Sequence, residues 1–136
     1  MDILSALGRT ASSGLTAQSQ RLQIIAENMA NADSTGSAEG ADPYRRRVVT
    51  FGDMTDEASG ATLVSVSSVI EDTSPFRLRH DPFHPAADAE GYVKTPNVDP
   101  LLELANMREA ARSYEANLNM METGRKMRGQ IIDMLG

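Results

Sequence analysis

Cysteine and tryptophan are both absent from this 136-residue chain, and the other aromatics are scarce, with three Phe and three Tyr. Without cysteine there is no disulfide framework and no thiolate metal site, although the compartment stays open. So few rings equip the chain poorly for a compact core, because aromatic side chains dominate core burial. No apolar run approaches the length that a membrane-spanning helix needs. The opening stretch MDILSALGRTASSGL has an acid at position 2 and no apolar core of signal-peptide length. A cytoplasmic chain, or one exported without a cleaved signal, is therefore expected.

Positive charge is also in short supply. The formal net charge is -6, which argues against a nucleic-acid partner, since phosphate binding needs a basic face. Residues 36–98 carry ten acids and six bases, so most of the excess lies in the middle of the chain. What the chain does have is eight Met and many Ala, a composition suited to adaptable helix packing.

That packing is written at both ends. Leu4, Leu7, Ala11, Leu15, Leu22, Ile25 and Met29 recur at steps of three or four, with a gap at Gln18. This is the stripe of an amphipathic helix over residues 3 to about 31, a rod of about 42 Å. It stops on Asn28, Asn31 and Asp33, residues whose short polar side chains bond the nearby backbone. At the other end Asp99-Pro100 is a good helix start, with Asp as N-cap and Pro at the first helical position. Leu101, Leu104, Met107, Ala111, Tyr114, Leu118 and Met121 follow at the same spacing, and Met127, Ile131 and Met134 carry it on. Gly124 and Gly129 weaken this helix by about 1 kcal/mol each relative to Ala and would let another backbone approach.

Between the helices the pattern changes. YRRRVVTF (44–51) and TLVSVSSVI (62–70) are rich in β-branched and aromatic residues and read as strands of a loose hairpin. From Ser74 to Pro100 five prolines and little periodicity predict an extended, irregular segment. The fold class expected is mainly α: two long terminal helices paired as a coiled coil, with a small β-hairpin insert and an extended Pro-rich segment between. The corresponding sections are 1–35, 36–98 and 99–136.

No catalytic constellation is visible. His80 and His84 are four apart, but Pro82 and Pro85 forbid the helix that would put them on one face. Asp81, Asp88 and Glu90 lack calcium-loop spacing. Arg45, Arg46 and Arg47 have acidic flanks and no aromatic platform, so they read as guards of a strand edge, or else as salt-bridge partners in an assembly. No cofactor, metal or catalytic residue is expected. Helices this long cannot bury both stripes in so small a globule, so burial between molecules is expected. Leu4, Leu7, Leu15, Leu22, Ile25 and Met29, with Leu104, Met107, Tyr114, Leu118 and Met121, are the candidate assembly interface.

SGLTAQSQRLQIIAENMANADST (13–35), PYRRRVVTF (43–51), DAEGYVKTPNVD (88–99) and REAARSYEANLNMMETGRKM (108–127) together resemble the bacterial flagellar basal-body rod proteins, and among them the small proximal-rod subunit. The resemblance implies a role for each matched motif. Asn28, Asn31, Ala32 and Asp33 match the turn that leads the chain out of an inner helical layer. Gly91, Tyr92, Val93, Pro96, Asn97 and Val98 match the segment that leads back in. Ser113, Tyr114, Ala116 and Asn117 match the C-terminal helix that packs on the N-terminal one. The implied function is structural: a subunit of the rod that transmits torque. The implied partners are copies of itself, other rod proteins, adjacent basal-body components and the flagellar type III export apparatus, with no nucleic acid and no membrane insertion. DPFHP and Pro100-Leu101-Leu102 depart from the family's usual turn and helix start. The rival expectation is a cytoplasmic two-helix coiled-coil adaptor or export chaperone.

Overall fold

A computed structural model describes residues 3–136. The elements run α1 (Ile3–Ala30), β1 (Arg47–Thr55), β2 (Thr62–Glu71), β3 (Arg77–His80), β4 (Tyr92–Thr95) and α2 (Pro100–Leu135). The start signal read at Asp99 acts as such: its carboxylate Oδ1 accepts the Leu101 N–H at 3.0 Å. β1 begins at Arg47 rather than Tyr44, the Arg46 N–H being bonded to Asn97 Oδ1 (2.8 Å), and it continues past Phe51 to Thr55. Asp56 N–H to Ala61 O (2.8 Å) and Asp72 N–H to Arg46 O (2.8 Å) close the β1–β2 pair at its two ends, the pairing of an antiparallel hairpin.

One expectation needs correction. The Pro-rich segment is not simply extended: it folds back as a second antiparallel pair, with Arg77 opposite Thr95 and His80 opposite Tyr92. Its prolines lie outside the two strands, where no ladder donor is lost. The pair is closed at Gly91, whose φ of +88° suits glycine best. A Cβ there would also stand 3.1 Å from Pro82 Cγ.

The chain divides into two compact units. The first holds α1 up to Leu22, Val49–Ser68 and Arg108–Gly136. Its buried residues are small: Ala11, Ala17, Ala61 and Ala110. Small residues let helix backbones approach, and a Cβ on Gly14 would lie 2.7 Å from Asn117 Oδ1. The two helical segments run antiparallel, with Arg128 donating to Ser5 Oγ (2.7 Å), Gly14 against Asn117, and Arg21 3.6 Å from Glu109. The close approach thus falls at Gly14; Gly129 has nothing near it and Gly124 meets Leu7 only at ordinary contact distance. The hydroxyls of α1 hold β2: Thr10 Oγ1 donates to Thr62 O (3.2 Å) and Ser13 Oγ accepts Val64 N–H (3.1 Å).

The second unit holds Gln23–Val48 and Val69–Met107. Ile25, Ala86, Val93, Pro96 and Val98 form its apolar interior, and two polar residues, Asn28 and Glu103, are buried among them.

Candidate assembly interface

The end of α1 divides its work between two asparagines. Asn31 caps the helix: its Nδ2 donates to Glu27 O at 2.8 Å and its Oδ1 accepts from Ser34 Oγ at 3.0 Å. Asn28, inside the helix and 1% exposed, does something else. Its Oδ1 accepts from Arg47 N–H (3.0 Å) and Tyr44 Oη (2.7 Å), and its Nδ2 donates to Arg47 O (2.8 Å). The amide therefore pairs with one residue of the outgoing chain as a strand neighbour would. Burial first, then the nearby Glu103 carboxylate, raises the Tyr44 pKa above its ordinary value.

The arginine run is not an edge guard. Arg45 stacks its guanidinium 4.1 Å above the Phe76 ring and donates to Asp72 O and Ser74 O. Arg47 pairs with Glu27. Arg46 pairs with the fully buried Glu103 and, at 3.2 Å, with Asp72. Burial works against the Arg46 charge, but the hydrogen bonds and charges of Glu103 and Asp72 win, and its pKa is raised. Asp72 is held below its ordinary value, chiefly by the Ser74 N–H and hydroxyl and then by Arg46. Asn97 completes the clasp: Oδ1 accepts Arg46 N–H (2.8 Å), while Nδ2 donates to Asp72 O (3.0 Å) and Ser74 O (3.1 Å). Arg46 and Glu103 were missed as a pair because 57 residues separate them and no local pattern links them.

Gly91 and Val93, matched from the resemblance, sit at the β3–β4 closure and in the interior; Tyr92 lies opposite His80 on the outer side of that pair. The two histidines do not converge. His80 meets the Tyr92 ring edge-on at 5.0 Å, and His84 contacts Thr35 Oγ1 (3.2 Å) and accepts Ala86 N–H at Nδ1 (3.0 Å). Among the described residues no three His, Cys, Asp or Glu are grouped to hold a metal ion.

The candidate interface residues fall into two sets. On α1, Ile25 is buried and Leu4, Leu7, Leu15, Leu22 and Met29 are half-buried. On α2, Met107 and Met121 are half-buried, whereas Leu104, Tyr114 and Leu118 are exposed, at 37, 36 and 39%. In the first unit the inward line of α2 is Ala110, Ser113, Asn117, Met121 and Gly124. At 100° per residue, Tyr114 and Leu118 lie about a quarter turn around the helix from that line. Beyond them Met127, Ile131, Ile132, Met134 and Leu135 are also uncovered. Leu104, Leu118 and Met127 of α2 are thus exposed, while Ala11, Ala17, Ala110 and the Gly14–Asn117 approach make the closest internal contact.

Residues 9–36 match the family model described as flagella basal body rod protein, and residues 89–134 match the one described as flagellar basal body rod FlgEFG protein C-terminal. The chain is similar to the flagellar basal-body rod protein FlgC of Agrobacterium fabrum, 51% identical over 135 residues, covering 99% of this chain and 97% of that one. FlgC of Escherichia coli O6:H1 is 47% identical over 119 residues, with 86% of this chain and 87% of the relative covered. FlgC of Bacillus subtilis is 37% identical over 132 residues, covering 86 and 88%. A chain matched at both ends by rod models, and over nearly its whole length by these relatives, belongs to the FlgC family of flagellar basal-body rod proteins.

Proposed function

We propose that this chain is a structural, non-enzymatic subunit of the proximal rod. It assembles helically with copies of itself and other rod proteins into the shaft that transmits torque to hook and filament. The observation that carries this reading is the uncovered apolar surface of α2, with Tyr114 and Leu118 on one side of its inward line and Met127 and Ile131 on the other. Tyr114, Leu118, Met127 and Ile131 are all at least one-third exposed on a helix whose internal contacts are made by small residues. Burying a Leu or Met side chain contributes about 1.5–3 kcal/mol, so a dozen such positions on neighbouring subunits suffice for a stiff polymer.

In this arrangement residues 1–35 and 99–136 form an inner layer of coiled-coil helices. Residues 36–98 are an outer section that locks adjacent subunits, with the Asn28 clamp and the Arg46 clasp fixing its exit and re-entry. Leu4, Leu7, Leu15, Leu22, Ile25 and Met29 would pair there with Leu104, Met107, Tyr114, Leu118 and Met121. The rod would lie across the periplasm, reached through the flagellar export apparatus without a cleaved signal.

Mass spectrometry of purified hook–basal bodies tests the reading. Recovery of this chain with the other rod proteins, in a few copies per particle, is the expected result. Intact particles that lack it, with the chain abundant in the cytosol, would overturn it in favour of the adaptor.

A further inference from the structure

Between the start of α1 and the end of α2, the first unit holds a groove of about 300 Å³ whose lining joins two chemistries. Leu4 and Met121 make much of it apolar, while Arg9, Arg125 and Arg128 line it too and no acid does. Gly8 and Gly124 keep it open, and a Cβ on Gly8 would meet no atom within 4 Å. Leu4 and Met121 reach this space from opposite helices, so their pairing is met within one chain and the arginines are left over. Arg9 is matched by Asp56 at 2.9 Å, and Arg128 donates to the neutral Ser5 hydroxyl at 2.7 Å. Arg125 is exposed and enters no ion pair with a described residue. Its charge therefore stands uncompensated beside an apolar surface, and an occupant has to bring a carboxylate and an apolar group together.

One exposed feature of the same chain brings both. Phe83, in the turn between β3 and β4, is 98% exposed. Asp81, Asp88 and Glu90 lie in the same stretch, and residues 80 to 93 contain no Lys or Arg. The turn is stiff: His84 N–H bonds Asp81 O (3.1 Å) across Pro82-Phe83, and Asp81 N–H bonds Gly91 O (2.9 Å). Proline fixes φ there, so little freedom is lost when the ring docks. The molecule already shows an arginine taking a phenyl ring, since Arg45 lies 4.1 Å over Phe76.

We infer that the acidic Phe83 turn of one copy docks in the Leu4–Arg125 groove of a second copy, its ring against Leu4 and Met121 and its carboxylates toward the arginines. Opposite charges on the two surfaces fix the register and disfavour other partners. Turn and groove are different surfaces of one chain, so the contact is heterologous and adds copies head to tail. The inference rests on the rod reading and adds to it a defined contact between like subunits.

Photocrosslinking tests the contact without removing the ring. A chain with p-benzoylphenylalanine at Phe83 is co-expressed with wild type, cells are irradiated, basal bodies are purified, and covalent dimers are mapped by mass spectrometry. A dimer that joins position 83 to residues 4–12 or 121–128 of the second chain is the expected result. Two variants of the groove follow. Gly8→Leu fills it at a position with room for a side chain, and Arg125→Glu reverses its charge at an exposed site. Each should keep wild-type helix content by circular dichroism and cut the dimer at least tenfold per chain recovered. Lys126→Glu, an exposed neighbour outside the lining, should leave the dimer in place. No dimer, a link to another basal-body protein or to a different segment, a dimer that survives either groove variant, or an equal loss with Lys126→Glu would each overturn the inference and leave the rod reading intact. Absence of labelled and wild-type chains alike from basal bodies would overturn the two together.

Discussion

Asn28 does with one side-chain amide what a neighbouring strand does with a peptide group, and it does so at a buried position. Removing it leaves the Arg47 N–H and C=O and the Tyr44 hydroxyl without these partners. Each unmade buried bond costs about 1–3 kcal/mol, and partial rehydration recovers some of it. Asn28→Ala is therefore expected to lower stability by about 2–4 kcal/mol in urea unfolding, whereas Asn31→Ala, at a half-buried cap, should cost about 1 kcal/mol. Equal losses would show that the clamp adds nothing to an ordinary helix end. A run of polar residues at a helix end reads as a stop, and Asn31 is one; which Asn also grips a strand depends on a partner 19 residues away and leaves no local mark. Asp72 gives a pH signature. Its folded pKa is depressed, so its contribution is present above the ordinary value of 3.8 and is lost as pH falls through the depressed value. Asp72→Asn should thus be less stable than wild type near neutrality, and the gap should close on acidification below about pH 4. A gap that persists unchanged to about pH 2 would show that the carboxylate charge is not what matters.

At the scale of elements, both long helices were legible because each repeats one spacing over its whole length, and because Asp99-Pro100 is an unambiguous start. The second hairpin was not. Its strands RLRH and YVKT are four residues each, too short to show alternation, and its closure depends on one positive-φ glycine. The face by which α2 packs was misleading for a different reason: sequence periodicity marks the greasiest line, whereas the internal contact uses the closest-approaching one. Gly14 is the point of nearest approach. Gly14→Ala in a free helix would gain about 1 kcal/mol, but here the new methyl meets the Asn117 side chain at 2.7 Å. The single variant is expected to lower the melting temperature, and Gly14→Ala with Asn117→Ala to recover most of the loss, by thermal unfolding followed by circular dichroism. Stabilisation by the single change would mean that Asn117 moves aside freely.

For the molecule as a whole, the apolar side chains left on the surface are large and many, from Leu101 to Leu135 along α2. Exposed Leu, Ile and Met along α2 are unusual when contiguous and mark surfaces that meet other proteins. Leu118→Asp changes a side chain 39% exposed in the single chain. It should leave secondary structure intact but reduce recovery in basal bodies at least tenfold and abolish swimming. Normal swimming by this variant would remove the Leu118 side of α2 from the interface. The family was readable because whole segments, not single residues, carry it; the interlock of Arg46 with Glu103 was not, since it joins parts of the chain that only folding brings together.

That interlock also sets an order of events. Arg46 bonds residues 51 and 57 positions further on, and Ser5 receives Arg128 across 123 positions. A ribosome that releases the chain N-terminus first delivers Arg46 well before its partners Asn97 and Glu103 exist. Contacts of such wide sequence separation form slowly, and here the second unit waits for residue 103 and the first for the final turns of α2. The contacts of α1 with β1 and β2 can thus form early, whereas the fastenings made by Glu103 and Arg128 must wait for the last quarter of the chain.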